Sequence, residues 1–504
     1  MANQQLQLLT AGDLAFSPGE SRQLLDNALS GTSSAELVNR LQKRTQGWAA
    51  GLVLMLELAR KQDGRIEVDP QPAGNIFDYF ASELFDKADQ DARQLLLAAA
   101  FATSFTAASA QDLSGQPQAC GLLAELTRKN FFIVCRQGRE PNYQYHPLFR
   151  EFLMERARTQ LDAGQLTQLQ QQTARLLATA GQVEDAVPLF AATGDWPGLI
   201  PLVLSQAPVL VSQGRTRTLL EWIGAIPRAI AQSEPWLLFW SGVCNLTVDP
   251  ATSRDLVDRA FCRFEARGDQ AGVLRCWSVI VQTFMFELHD FNPLDAWIAW
   301  IDAHIAQGLH FSSADIEAGV VSGITGILAW RQPARDDREL WLEKAFGLPR
   351  HCANSDVCVR AYTNSALYYV WMGEFTRCKL LIEAMDAMLR SQPVSPLRLT
   401  TLHLVEAMLF NSSMEFGGRA LEAVNADRSG VQIMASMLCH QGAVSALNAG
   451  NPAVARAFLR RAEHPLVPNR NVHFSQYFLL LAWPDLTVGA PPPAPWQPPA
   501  RASA

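Results

Sequence analysis

A short punctuation recurs along this chain, a glycine directly before a polar residue within otherwise helix-forming sequence: Gly181-Gln182, Gly194-Asp195, Gly268-Asp269, Gly373-Glu374 and Gly450-Asn451. Five positions after each glycine stands an apolar residue: Ala186, Leu199, Val273, Cys378 and Ala455. A helix that stops on a glycine able to turn left-handed, a polar residue that caps the next helix, and an apolar residue facing back onto the first together describe a helical hairpin. Such hairpins cannot bury their apolar faces alone, so they must stack, and the pattern predicts an α-solenoid. From Gly194 onward the glycines lie 74, 105 and 77 residues apart, near multiples of 35–38, which is tetratricopeptide-like spacing in degenerate form.

The bulk numbers agree with a multidomain globular protein. The 504 residues are too many for one core, and 48 % hydrophobic with 18 % charged is an ordinary globular balance. Apolar runs such as Leu52 to Leu58 fall far short of a membrane span, and the N-terminus lacks a basic stretch followed by an apolar core, so a cytoplasmic location is expected. Nine scattered cysteines, none in a Cys-x-x-Cys pair, read as buried free thiols in a reducing compartment, with neither a disulfide frame nor a metal site. A net charge of −7 gives no electrostatic footprint for nucleic acid.

Ahead of the repeats the pattern differs. Ser17-Pro18-Gly19-Glu20 is a capping box with proline at the first helical position, and Ser33-Ser34-Ala35-Glu36 repeats it. The Pro- and Gly-containing stretch 62–74 reads as a linker. Helices are predicted around Ile76–Phe85, Asp89–Ala102 and Leu122–Lys129, followed by a strand over Phe131–Cys135, a polar turn and a return strand at Tyr143–Tyr145. Pro147 then opens a helix to Arg158. Helices followed by a β-hairpin wing describe a winged-helix module.

Several stretches together resemble the MalT-type regulators, the large ATP-binding LuxR-family transcriptional activators. Leu14-Ala15-Phe16-Ser17 and Thr45-Gln46-Gly47-Trp48-Ala49-Ala50-Gly51-Leu52 resemble the helical lid behind the family's nucleotide-binding core. Ile76-Phe77-Asp78-Tyr79-Phe80 and Tyr145-His146-Pro147-Leu148-Phe149-Arg150-Glu151-Phe152-Leu153 resemble its winged helix, and Thr218-Leu219-Leu220-Glu221-Trp222-Ile223 with Ile226-Pro227 resembles the entry to its sensor. The resemblance implies a mainly α chain: a remnant of the lid (1–62), a winged helix (75–160), a tetratricopeptide-like α-superhelix (161–485) and a disordered Pro-rich tail (486–504). It also implies a signal-sensing role, the repeats receiving a small-molecule inducer or a protein, with self-association or a partner subunit as a further expectation.

Two departures limit that carry-over. A phosphate loop needs Gly-Lys-Ser/Thr so that backbone amides cradle the phosphates. The six lysines here follow Gln42, Arg60, Asp86, Arg128, Glu343 and Cys378, never glycine, and the family's Gly-Trp-Pro is Gly47-Trp48-Ala49. The end of the chain carries a Pro-rich stretch where the family has its helix-turn-helix. The expectation is a chain with no enzymatic activity, no cofactor unless a partner chain completes an ATP/ADP site, and no direct DNA binding. A free-standing interaction scaffold and half of a split ATPase are the alternatives.

Candidate site residues follow from both readings. The resemblance places His146, Gly47 and Trp48 where related switches sense the nucleotide; a histidine packed at a helix start fits His146 equally well. Nine of the thirteen tryptophans lie between Trp222 and Trp371, and Trp297 and Trp300 share one helical face. With Trp277 they are candidates for a ligand platform, although large aromatics also fill the space between stacked helices. No catalytic motif of the Gly-x-Ser-x-Gly or His-Glu-x-x-His kind is present.

Overall fold

The structure is a computed structural model and describes residues 16–29, 38–39, 52, 81–82, 84–128, 132–136, 138, 140–350, 354–391, 396–414 and 432–463. The fold is mainly α. The chain forms two compact units, residues 1–199 and 200–504. The second capping box, the stretch 62–74, Ile76–Phe80, Gly47, Trp48 and the tail 486–504 lie outside the described residues.

In the first unit the Ser17 box forms as its sequence dictates. The Glu20 N–H donates to Ser17 Oγ at 3.3 Å, while Ser17 N–H donates back to Glu20 Oε2 at 2.8 Å. Helix Pro18–Leu29 follows. The winged helix comprises helices Gln90–Ala98, Ala107–Ser114, Ala119–Arg128 and Pro147–Gln160 around a three-stranded antiparallel sheet in the order β1-β3-β2. The hairpin β2 (Ile133–Arg136) and β3 (Asn142–Tyr145) lies within a residue or two of the expected strands. The expected helix Asp89–Ala102 ends earlier, at Ala98, and Asp89 serves as its N-cap. The strand β1 (Phe105–Thr106), paired to Tyr143 and Asn142, and the helix after it were not foreseen. A two-residue strand has no periodicity to read.

Aromatic side chains form the core of this module. Phe105 packs on Tyr145 with centroids 5.0 Å apart, Phe149 on Phe152 at 6.1 Å, and Phe152 on Phe85 at 6.1 Å. Arg150 reaches across the module. Its Nε and Nη2 donate to the carbonyls of Ala100 and Phe101 at 3.1 and 2.9 Å, satisfying acceptors just past the end of helix Gln90–Ala98.

All five glycines that punctuate the sequence adopt positive φ, between 67° and 77°. Each closes a Schellman turn. In the third, the Gly268 N–H donates to Glu265 O at 3.0 Å and the Asp269 N–H to Phe264 O at 2.9 Å. Gly214 and Gly308 close turns of the same kind before Arg215 and Leu309. The polar follower caps the next helix in three cases: Asp195 accepts from Gly198 N–H, Asp269 from Gly272 N–H and Asn451 from Val454 N–H. The apolar residues at plus five, Ala186, Leu199, Val273, Cys378 and Ala455, are all buried.

The second unit stacks helix pairs. The first helices are Pro235–Asn245, Gln270–Glu287, Ala314–Trp330, Ser355–Met372, Pro396–Ser412 and Gln432–Asn448. Their starts are 35, 44, 41, 41 and 36 residues apart, so the repeat is longer and less regular than the glycine spacing suggested. The reason is phase. Gly268 marks a turn between two pairs, whereas Gly373 and Gly450 mark turns within a pair. First helices of successive pairs lie side by side from Gln270–Glu287 through Gln432–Asn448, and one continuous apolar core runs along most of this layer.

Close approach within the layer depends on glycine. A Cβ on Gly323 of helix Ala314–Trp330 would fall 2.5 Å from the Trp277 ring, and one on Gly326 would lie 3.2 Å from Asn364 Nδ2. The cysteines correct one expectation: Cys244, Cys276, Cys358, Cys378 and Cys439 are buried free thiols, but Cys120 and Cys262 are exposed. Scattered spacing carries no information about which helical face a residue occupies. Burial pushes the Cys244 and Cys378 thiols up to about 12.

Two stability outcomes follow. Cys378→Asp will lower the melting temperature far more than Thr376→Asp, because Cys378 is buried and Thr376 exposed. An uncompensated buried carboxylate costs on the order of several kcal/mol; equal melting temperatures in thermal unfolding would show the helical register to be wrong. Gly323→Ala will destabilise the chain by about 1–3 kcal/mol despite alanine's better helix propensity of about 1 kcal/mol. The Trp277 ring has no free direction in which to move, being fully buried and held through Nε1 by Trp297 O at 2.9 Å. Urea titration of the two proteins measures the difference.

Candidate functional site

The apolar layer of the second unit is interrupted by a ladder of polar side chains. Gln282, Ser322 and Arg360 come from three successive first helices. Arg360 Nε donates to Ser322 Oγ at 2.8 Å, and its Nη1 donates to Gln282 Oε1 at 2.7 Å. Asn364, one turn beyond Arg360, donates to Ser322 O at 2.9 Å, and Gln282 Nε2 donates to Ser278 O at 3.0 Å. Gln282 and Ser322 are buried, whereas Arg360 and Asn364 retain partial exposure. The ladder is short because helix Ala314–Trp330 presents Gly319 to Ser278 Oγ and Gly326 to Asn364, so no side chain separates the polar groups.

Beside the ladder Arg254 forms a second polar station. Its Nε donates to Thr283 Oγ1 at 2.9 Å, its Nη2 pairs with Glu287, and its guanidinium lies 3.8 Å from the centroid of the Phe284 ring. Both carboxylate and guanidinium are partly exposed, so the pair is accessible to water. The Arg254 station sets hydrogen-bond donors and acceptors against an aromatic ring, a composition that small-molecule sites share.

The tryptophans singled out by sequence serve packing here. Trp277 is fully buried beneath Gly323 and has no surface to offer a ligand. Trp297 and Trp300 are half-buried, and both rings meet Phe261 edge-on, at 5.2 and 5.3 Å. His304 stacks on Trp300 at 3.8 Å, with its Nδ1 2.7 Å from Trp300 O. A shared helical face was read correctly, but that face looks into the neighbouring helix Pro250–Arg267. Trp330 and Trp371 were passed over. They meet edge-on at 4.7 Å, with Phe291 stacked on Trp330 and Trp371 still exposed. The ladder residues carried a signal that was not used: polar residues about 40 positions apart inside otherwise apolar helices.

His146 is half-buried at the start of helix Pro147–Gln160, its ring 6.2 Å from Phe132 and its N–H donating to Phe132 O at 2.8 Å. Burial lowers its pKa, which favours the neutral imidazole. Gly47 and Trp48 lie outside the described residues. The helix that a winged-helix protein would present to DNA is Ala119–Arg128. Its exposed residues are Cys120, Gly121, Ala124, Glu125 and Arg128, a face with one acid and one base. Specific readout requires several donors at base edges above a cationic phosphate-contact surface.

With this geometry in place, comparison with known proteins assigns the first unit. Residues 81–165 match the family model of the MalT winged helix domain. Over 239 residues, 46 % of this chain, the sequence is 28 % identical to the HTH-type transcriptional regulator MalT of Cronobacter sakazakii. It is likewise 28 % identical over 238 residues to that of Yersinia enterocolitica. In both cases the match spans 26 % of the relative, so the chain corresponds to about a quarter of the length of these regulators. A crystal structure of a signal transduction ATPase with numerous domains, carrying a tetratricopeptide repeat sensor, from Pyrococcus horikoshii superposes with a TM-score of 0.55. At 15 % identity, covering 95 % of this chain and 70 % of the other, that likeness concerns the fold. Residues 81–165 are thus similar to the MalT winged helix domain, and the chain is mainly helical with a tetratricopeptide-like fold.

Proposed function

We propose that this chain is the signal-sensing region of a MalT-like transcriptional regulator, in which the helical repeats receive a small-molecule inducer or a protein. The carrying observation is the ladder Gln282–Ser322–Arg360–Asn364, a set of directional polar groups hydrogen-bonded across three successive helices. A winged helix without a basic recognition face fits the role of a connector that passes on the state of the repeats. Nucleotide sensing through His146, with Gly47 and Trp48, would require a partner chain to supply the phosphate loop, because no lysine here follows a glycine. ATP or ADP is therefore assigned no role within this chain alone.

One observation favours the scaffold reading as a second possibility. Leu340 and Phe346 on helix Arg338–Gly347 and Leu380 on helix Phe375–Ser391 are about half exposed, at 52, 50 and 56 %. Apolar side chains of this size suit a protein partner.

The two readings part in a binding screen. The full chain, followed by thermal unfolding against sugars, organic acids and phosphates, is expected to give a saturable rise in melting temperature with one class. Arg360→Met should abolish that response. It should also destabilise the free chain by about 1–3 kcal/mol, since Gln282 Oε1 loses its donor. A chain indifferent to every small molecule, but captured by a partner through Leu340 and Phe346, would favour the scaffold.

Calorimetry with ATP is expected to show no micromolar binding, and phosphate release no turnover. Turnover that persists through further purification would restore the split-ATPase alternative. In gel-shift titrations the chain is expected to show no sequence-selective, salt-sensitive DNA complex.

A further inference from the structure

A buried cation in the repeat layer makes no ion pair among the described residues. Arg398, the third residue of helix Pro396–Ser412, is 8 % exposed, and its Nε is buried without a hydrogen-bond partner. Asp356, in the first turn of the neighbouring helix Ser355–Met372, attracts it through space. Among the described residues no ion pair to the Arg398 guanidinium forms. Burial pulls its pKa down, yet a guanidinium does not give up its proton at any pH a folded protein meets. An arginine removed from water therefore keeps its charge, and uncompensated buried charge is strongly disfavoured.

Its position adds to the imbalance. The first turn of a helix carries the positive end of the macrodipole, where cations are unfavourable and anions favoured. Side chains of a helix also lean toward its N-terminus, so the Arg398 stem carries its charge back to that end. Two positive potentials thus converge, and among the described residues Asp356 answers them through space. The Thr401 hydroxyl, one turn on, donates to Arg398 O at 2.9 Å.

We propose that Arg398 and the N-terminal turn of helix Pro396–Ser412 form a binding site for a small molecule bearing a carboxylate or phosphate group. The assignment rests on the sensing role proposed for the repeats and names the class of inducer they take. The planar guanidinium donates two parallel hydrogen bonds to the oxygens of such a group, and the helix end adds a favourable field. A purely structural arginine behaves differently. Replacing it with an apolar side chain would then stabilise the free chain and leave every ligand response unchanged.

The test uses the full chain in scanning fluorimetry and calorimetry at constant ionic strength. Sodium phosphate and sodium citrate are compared with sodium chloride, and glucose and maltose serve as neutral probes. Phosphate or citrate is expected to raise the melting temperature saturably where chloride does not. Arg398→Gln should weaken that binding by about tenfold or more. Asp356→Asn should tighten it by about two- to fivefold, because it removes the competing negative charge. Arg217→Gln, at a fully solvated position, should change nothing.

If phosphate and citrate behave as chloride while a neutral sugar binds, the oxyanion site is overturned and the sensing role stands. If none of the five probes binds, the oxyanion site is overturned and the sensing role loses the support this ligand class would have given it. Phosphate binding that Arg398→Gln leaves intact overturns the site alone. Should Arg398→Gln fail to fold, Asp356→Asn decides: tighter phosphate binding supports the site, and unchanged or weaker binding overturns it.

Discussion

A helix that ends against other helices leaves backbone carbonyls facing hydrocarbon, and each one without a donor costs as much as a lost hydrogen bond. The left-handed glycine resolves this. By reversing the chain at Gly268 it lets two N–H groups reach back to Glu265 O and Phe264 O, so the helix closes on itself and the next can start at Gln270. Five residues after the glycine, the following helix already buries Val273. Without this closure neighbouring helices would need longer connections, and the first helices of successive pairs would not meet side by side. The layer that holds the candidate site therefore depends on backbone geometry before it depends on any side chain.

A finer agreement between sequence and packing surrounds two of these turns. Phe190 and Phe264 each precede their glycine by four residues, and Gly198 and Gly272 each follow it by four. A Cβ on Gly198 would come 2.6 Å from the Phe190 ring, and one on Gly272 would come 2.4 Å from the Phe264 ring. The second helix thus starts by laying bare backbone on the aromatic ring of the first. At Gly373 the same two positions are Tyr369 and Arg377, and the guanidinium instead lies over the ring at 5.5 Å. Three turns use two solutions to one problem, filling the crotch of a helical hairpin with either a flat ring against glycine or a cation over an aromatic face.

How much of this could be read from the chain depended on whether a residue acts locally. The Ser17 capping box, the left-handed glycines and the β2–β3 hairpin are decided by short-range sequence, and they form within a residue or two of where it placed them. The phase of the repeat is not local. Gly268 and Gly373 look alike in sequence but sit between pairs and within a pair respectively, so counting glycines gave a misleadingly even period. The surroundings of the tryptophans are likewise not local. Helical spacing puts Trp297 and Trp300 on one face, but only the neighbouring helix decides whether that face meets Phe261 or solvent. Arg398 carried no signal at all, since one arginine near a helix start is ordinary and its lack of a contacting partner is a tertiary fact.

Stability alone does not account for the polar ladder. A hydrogen bond between neutral buried groups contributes about 1 kcal/mol net, and replacing both partners with apolar groups of the same shape is nearly neutral or favourable. Withdrawing an arginine even partly from water adds a further cost. A layer built for stability would continue hydrocarbon through positions 282, 322 and 360, as it does at the buried Ile280, Ile324 and Val359 beside them. What the polar groups add is direction. Arg360 holds Gln282 and Ser322 in one arrangement across three helices, so under the proposed sensing role a ligand group competing for any one of those bonds would shift the balance of the other two. A ligand that exchanges one such bond for another changes how firmly adjacent pairs are tied together, which is the quantity a stack of nearest-neighbour units transmits along its length.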